Sequence, residues 1–321
     1  MKTDSWPFRK VPSYFVCKGI RCAGDLYLPS GIQRPPVVMM AHGFAAERSF
    51  RLPAYAERFV NHGMAVYLFD YRCFGDSEGE PRNYVDPWRH LADWRAALTH
   101  VRSLPNVNTD RIALWGTSFS GGHVIVTAAR DGAISAIVAQ VPHIDSITSL
   151  RKLGLRYLLQ AIPHAFRDVS RMMTFRSPHY VKVIGTAEEF ACLNTPDSYS
   201  GYLSMIPLGS NWQNRCPARV LITFLMYRPM KSAVKVRCPA LIVLAENDSL
   251  IESTAVERTS AMMPYGILVK YPFGHFDIYN GQHFEDAVAK QTEFLVKHLQ
   301  VSCLLSSRNH QGSRPPHIED K

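Results

Sequence analysis

The sequence predicts an α/β fold: a mostly parallel, doubly wound sheet with a helical lid inserted into it. Three observations carry this. Short continuous apolar runs, among them "PPVVMMA" and "PALIVLA", have the look of strands covered on both faces. Stretches with helical spacing alternate with these runs, as in a sheet flanked by helices. The alternation breaks only once, between Pro142 and Cys238. Short connections and the handedness of crossovers favour one such domain.

In chain order, "YFVCKGIRCAGDLYLPSG" alternates and ends in Pro-Ser-Gly, which predicts two strands with a turn between them. "PPVVMMAHGF" is the first buried strand, stopping at His-Gly. "AYAERFVNHG" has Tyr55, Phe59 and Val60 at helical spacing and Gly63 as its stop. "MAVYLFDYRCFGDSEG" is a second buried strand running into a polar loop. Asp86 then caps a helix with Pro87 in its first turn, and Trp88, Leu91, Trp94, Leu98 and Val101 recur along it before Pro105. "RIALWG" is the third buried strand and "SGGHVIVTAARDG" the helix after it. "ISAIVAQVP", "PALIVLAEND" and "GILVKYPFGHF" are the fourth, fifth and sixth, and "FEDAVAKQTEFLVKHLQ" closes as an amphipathic helix.

These assignments divide the chain into an N-terminal part of the core (1–142), a lid (143–237) and a C-terminal part of the core (238–301). The lid reads as the helices "SITSLRKLGLRYLLQAI" and "DVSRMMTF" with Pro-, Gly- and Asn-rich loops. Residues 302–321 are polar and aperiodic, which predicts a disordered tail.

Hydrophobic residues make up 46% of the 321 and charged residues 20%, which excludes a chain disordered throughout. The N-terminus has no apolar run of signal-peptide length, and no stretch approaches the roughly 20 apolar residues of a membrane span. The expectation is a soluble, cytoplasmic protein with no nucleic-acid partner. Seven cysteines at irregular spacing, with no C-x-x-C pair, predict reduced thiols and no structural zinc. No cofactor or metal is expected: "FDYRCFGDSEG" lacks the Lys-Ser/Thr of a phosphate loop, and no His/Cys/Asp cluster has metal-ligand spacing. Of the net charge of +9, a surplus of eight lies between His143 and Arg237, where thirteen Lys and Arg face five Asp and Glu. A solvated basic surface or a binding face for something acidic would each account for it.

The chemistry centres on "LWGTSFSGG". A serine hydroxyl needs a base in reach, an acid behind that base, and N–H donors aimed at the oxyanion. Ser118 sits at a strand–turn–helix junction with the small residues Gly116, Ser120, Gly121 and Gly122 about it, so a sharp turn can lift its side chain off the sheet edge. Ser120 stands where the common G-x-S-x-G pattern has its second glycine. Smallness is what the turn requires, and Ser120 is expected to pack or hydrogen-bond locally without reacting. In this topology the acid follows a later strand and the histidine comes last. Asp248 lies past the fifth strand and His275 past the sixth, with Glu246 or Asp277 as alternative acids and His283 or His42 as alternative bases. The oxyanion hole would use the backbone N–H groups of Phe119 and Phe44, with Gly43 letting the chain turn in.

Together, "HGF", the D-x-R loop, "GTSFSGG", Asp248 and "GHF" resemble the α/β-hydrolase fold over roughly residues 10 to 300. More narrowly, "AYAERF…AVYLFDYRCFGDSEGEPR…DWRAAL…RIALWGTSFSGGHV" looks like the fungal polyketide transferase family. That resemblance is specific through about residue 142. It implies Ser118, Asp248 and His275 as the triad, with serine where some relatives carry cysteine. It also implies acyl transfer or hydrolysis on a polyketide acyl thioester or ester in secondary metabolism, through an acyl-Ser118 intermediate. The basic lid then suggests docking of an acidic acyl carrier domain, or of a pantetheine or coenzyme A arm, on Arg151, Lys152, Arg156, Arg167 and Arg171. The rivals are a broad-specificity carboxylesterase or thioesterase and a non-catalytic binding protein of the same fold. A dehalogenase is disfavoured because it needs Asp at the elbow.

Overall fold

The computed structural model describes residues 7–301. The predicted tail over 302–321 lies outside the described residues. Eight strands form one sheet: β1 (Phe8–Pro12), β2 (Gly24–Pro29), β3 (Pro36–Ala41), β4 (Ala65–Phe69), β5 (Asn108–Thr117), β6 (Ala136–Gln140), β7 (Ala240–Ala245) and β8 (Gly266–Tyr271). Their spatial order is β1-β2-β4-β3-β5-β6-β7-β8. From β4 onward across the sheet all neighbours run parallel, whereas β2 pairs antiparallel with both β4 and β1.

The strands β3, β4, β6 and β7 are buried along their whole length, which is why they read as unbroken apolar runs. The last strand, β8, lies at the edge and is largely exposed, so the sequence expectation of a buried strand overstates its cover. The segment read as two strands folds as three. Phe15–Cys17 and Ile20–Cys22 pair in a hairpin around Lys18 and Gly19, both at positive φ, and β2 follows in the main sheet. Glycine suits Gly19 because φ of 77° costs it no clash between Cβ and the backbone.

The helices in chain order are α1 (Leu52–Val60), α2 (Pro87–Arg102), α3 (Phe119–Arg130), α4 (Ser146–Met173), α5 (Ser198–Leu203), α6 (Val220–Thr223), α7 (Ser253–Ala261) and α8 (Gly281–His298). Helices α1 and α8 pack together against the sheet, and α2 and α3 pack together elsewhere on it. Trp115 of β5 fixes the first pair: its indole N–H donates to Gln291 of α8 at 2.8 Å, and its ring lies 4.9 Å from Tyr55 of α1. The Asp86 carboxylate accepts from the N–H groups of Trp88 and Arg89 and starts α2 as the sequence predicts.

Between β6 and β7 the chain makes its insertion. The 28 residues of α4 are two helical segments meeting at a kink at Gly154 (φ 78°), the second of which carries Pro163 inside, where the sequence suggested a break after Ile162. The insertion also holds a small sheet of Tyr180–Ile184, flanked by Ala191–Leu193 and Cys216–Pro217. These strands have two to five residues and no alternating pattern, so nothing in the sequence announces them. Among the described residues no helix is long and apolar enough to cross a membrane, and the six cysteines are free.

Candidate active site

Strand β5 ends at Thr117 and α3 begins at Phe119, leaving Ser118 alone in the turn with φ 53° and ψ −119°. A side chain at positive φ costs about 1–3 kcal/mol, so neighbouring structure must hold it there. The holding bonds are visible. The Ser118 N–H donates to the Gln140 carbonyl at 2.8 Å, and the Ser118 carbonyl accepts from Gly121 at 2.9 Å and His143 at 2.8 Å. The small neighbours are there for close approach. A Cβ on Gly116 would overlap the Ser120 backbone, one on Gly122 would overlap the His143 carbonyl, and one on Gly121 would lie 2.8 Å from Pro142. Ser120 is fully buried and shares a 2.9 Å hydrogen bond with the Tyr71 hydroxyl, which in turn accepts from the Trp94 indole N–H at 3.0 Å.

Asp248 sits just beyond β7 and His275 beyond β8, both buried. The His275 Nδ1 lies 2.6 Å from Asp248 Oδ2, and its Nε2 lies 3.1 Å from Ser118 Oγ. With Nδ1 carrying the proton, Nε2 presents its lone pair to the serine hydroxyl. The other Asp248 oxygen accepts from the N–H groups of Leu250 and Ile251, both at 2.8 Å, which fixes the carboxylate's rotation. The alternatives lie elsewhere. Glu246 is exposed, Asp277 accepts from the Gly274 N–H, and His283 is exposed on α8. His42 is buried with Nδ1 3.1 Å from the Gly43 carbonyl, and burial pushes its pKa down to about 3, so it stays neutral.

The turn after β3 runs against the nucleophile. A Cβ on Gly43 would lie 3.1 Å from Ser118 Cβ and 3.7 Å from Oγ. The next residue, Phe44, has a backbone N–H with no acceptor among the described residues. Phe119 opens α3, where the first N–H groups have no partner within the helix. The insertion pins this turn from above: the Tyr202 hydroxyl donates to the Phe44 carbonyl and the Trp212 indole to the Ala45 carbonyl, each at 2.8 Å. Nothing in the local sequence pattern marks these two residues, because their partners lie more than 150 positions away.

The five lid cations separate into two groups. Lys152 is not presented to a docking partner, contrary to expectation: its ammonium donates to the carbonyls of Asp248 at 2.6 Å and Ile251 at 2.8 Å, tying α4 to the loop of the acid. Arg171 donates to the Ser177 carbonyl at 2.5 Å within its own segment. Arg151, Arg156 and Arg167 are exposed.

A cavity of about 160 Å³ opens at Ser118 beneath α4, walled by Leu150, Leu153, Leu158, Val220 and Phe224 among others, with no carboxylate in its wall among the described residues. A second cavity of about 30 Å³ lies on the other side of Ser118, against His42, Tyr202 and His275. The arrangement can activate a hydroxyl, receive an oxyanion and hold an apolar chain.

Residues 18–182 match the family model described as X-Pro dipeptidyl-peptidase (S15 family). Among curated relatives, the quorum-quenching protein AidA of Acinetobacter baumannii is 37% identical over 89% of this chain and 94% of its own. The polyketide transferase af380 of Aspergillus fumigatus is 27% identical over 91% of this chain and 99% of its own. Among solved structures, the alpha/beta hydrolase GrgF from Penicillium sp. sh18 superposes with a TM-score of 0.75 at 26% identity, covering 92% of this chain and 99% of the other.

Proposed function

Since the chain is an α/β hydrolase and belongs to the X-Pro dipeptidyl-peptidase (S15) family, we propose that Ser118 is the nucleophile of an acyl hydrolase or acyltransferase acting on a polyketide acyl thioester or ester. The observation that carries this is the Ser118–His275–Asp248 chain of hydrogen bonds at the mouth of an apolar cavity. His275 Nε2 takes the Ser118 proton as Oγ attacks the acyl carbonyl. The resulting oxyanion accepts from the N–H groups of Phe44 and Phe119. His275 returns the proton to the departing thiol or alcohol, leaving acyl-Ser118. Water or an acceptor alcohol, deprotonated by the same imidazole, then takes the acyl group. The Asp248 carboxylate, bonded to Nδ1, holds the imidazole in place and steadies the imidazolium as it forms.

Peptide cleavage after an X-Pro pair fits this cavity poorly. A protonated peptide N-terminus calls for a carboxylate partner, and the wall, otherwise mostly hydrocarbon, offers Lys152, His143 and the hydroxyls of Ser149, Thr195 and Ser249 but no carboxylate among the described residues. The polyketide transferase relative and the GrgF structure support the acyl-chain reading. The quorum-quenching relative, similar over nearly the whole chain, supports a second reading on the same machinery: cleavage of an ester within an acyl-bearing signal molecule.

The deciding experiment is intact-mass analysis after mixing the protein with acyl thioesters, linear esters and lactones of matched chain length. An acyl adduct on the wild type and none on Ser118→Ala supports the mechanism, and no adduct from any of the three rejects it. The best substrate separates the two readings, and formation of new ester in added alcohol separates transfer from hydrolysis.

A further inference from the structure

Helix α4 turns an apolar ridge away from the protein. Leu155, Leu159, Ile162, Phe166 and Met173 follow at steps of four, three, four and seven residues, so they stand in one line along the helix. All five are exposed, Leu155 to 71%, Phe166 to 73% and Met173 to 73%. Tyr157, Ala161 and Asp168 form the opposite, buried line. This reverses the usual surface helix, whose apolar stripe faces the core. At 1.5 Å per residue the ridge is about 27 Å long. Phe175 extends it beyond the helix end and is 99% exposed.

The two flanks of the ridge differ. On one, Arg156 and Arg167 lie eleven residues apart, three turns of helix, and both are exposed. The single acid of α4, Asp168, is buried against Arg219, so the outward face carries cations and no anion. On the other flank Leu158, Ile162 and Ala165 line the cavity at Ser118, joined by Ile222 and Leu225, which are also exposed. The ridge is therefore continuous with the cavity's mouth.

We propose that this face of α4 docks on an anionic lipid surface. The ridge sinks to the boundary between headgroups and acyl chains while Arg156 and Arg167 meet the phosphates. The five side chains of the ridge all stand exposed, and none of them can form a hydrogen bond with a protein partner's polar groups. Hydrocarbon asks for none, whereas a protein partner would have to supply a complementary groove and a polar rim. Docked this way, the cavity opens toward the bilayer, and an acyl chain dissolved there enters without crossing water. That delivery step rests on the acyl reading of Ser118, while the docking itself does not.

The test is sedimentation of the full chain with vesicles of phosphatidylglycerol and phosphatidylcholine in equal parts, and with phosphatidylcholine alone. Wild type is expected to bind the anionic vesicles and to bind the neutral ones at least about tenfold more weakly. The pair Leu159→Glu with Phe166→Glu, and separately Arg156→Glu with Arg167→Glu, should each lose at least about tenfold in affinity. The second pair leaves the apolar surface untouched and keeps the test intact should the first misfold. Turnover of a short water-soluble ester should be the same in all of them. Lack of such turnover in a wild type that still binds vesicles rejects the acyl reading and leaves docking standing. Binding unaffected by both pairs overturns the proposal. So does a wild type that ignores vesicles but forms a dimer that Leu159→Glu with Phe166→Glu dissolves, or that binds an acidic acyl carrier domain instead.

Discussion

Lys152 and Asp248 are joined across the border between insertion and core: the ammonium donates to the aspartate's own carbonyl at 2.6 Å, while the aspartate's side chain reaches His275. A second bond from Lys152 to Ile251 holds the far end of the same loop. The insertion thus helps to shape the geometry of the acid as well as the cavity. Lys152→Met, which keeps the stem and deletes the donors, should lower kcat toward a short ester by about tenfold, in line with roughly 1.5 kcal/mol for charge-assisted bonds. Steady-state kinetics checks this, and an unchanged kcat would show that the loop holds itself.

Gly43→Ala should be more damaging than its size implies. The new methyl would press on Ser118 Cβ at 3.1 Å in a turn that has no slack. Displacement of a nucleophile by a fraction of an ångström to one ångström costs up to about 100-fold in rate. Thermal unfolding should stay close to wild type, so activity and melting temperature measured together separate a moved nucleophile from a broken fold.

Ser120→Gly should leave most activity in place, since its hydroxyl bonds to Tyr71 and faces away into buried structure. The cost should appear in stability, at about 1 kcal/mol for the lost bond. Tyr71→Phe removes the same bond from the other side, and a double-mutant cycle on denaturant midpoints should give a coupling of similar size. Fluorophosphonate labelling completes the comparison: Ser120→Gly should label and Ser118→Ala should not.

Tyr202→Phe removes only the donor that pins the Phe44 carbonyl. A looser turn would aim the Phe44 N–H less well at the oxyanion, so kcat should fall several-fold, about 1 kcal/mol, with KM little changed. A change confined to KM would place the role of Tyr202 in binding.

Acid should act on the fold through histidines. His42 and His143 are buried and pushed down to about 3, and burial also holds His90 and His123 well below the ordinary imidazole value. A histidine whose folded pKa is depressed binds its proton more readily unfolded. Its contribution is fully present above about pH 6.5 and is lost as pH falls toward the folded value. Each such histidine removes up to about 1.4 kcal/mol per pH unit within that window. Urea midpoints between pH 7 and pH 4 should fall more steeply for wild type than for His143→Asn.

The central strands β3, β4, β6 and β7 were readable because each is buried on both faces and so appears as an unbroken apolar run, as in Val37–Ala41 and Leu241–Ala245. Ser118 and Asp248 could be singled out because each follows such a run, and His275 because it follows the apolar stretch of the exposed edge strand β8, since ends of parallel strands gather at one edge. Strand β1 escaped notice because it is five residues long, half-exposed and closed by Pro12. Helix α4 was split in reading at Pro163, an ordinary stop signal that the structure carries inside the helix, while the real break falls at Gly154, which the sequence reading ran through. Lys152 looked like a free surface cation because its partners lie 96 and 99 positions further on. Periodicity reports which face of an element is covered, and it is silent about what a long side chain reaches.

The placement of the insertion between β6 and β7 has a consequence for chimeras. Swapping it for a relative's looks like a way to retarget substrate while leaving the reacting groups alone, since Ser118 precedes it and Asp248 and His275 follow. Yet Lys152, Tyr202 and Trp212 travel with the segment, and each bonds to a backbone carbonyl in a loop of the core beside the reacting groups. A donor segment lacking equivalents at those three positions would import a new cavity and disarm the old chemistry in the same exchange. Grafts should therefore be chosen by their anchors first and by their walls second.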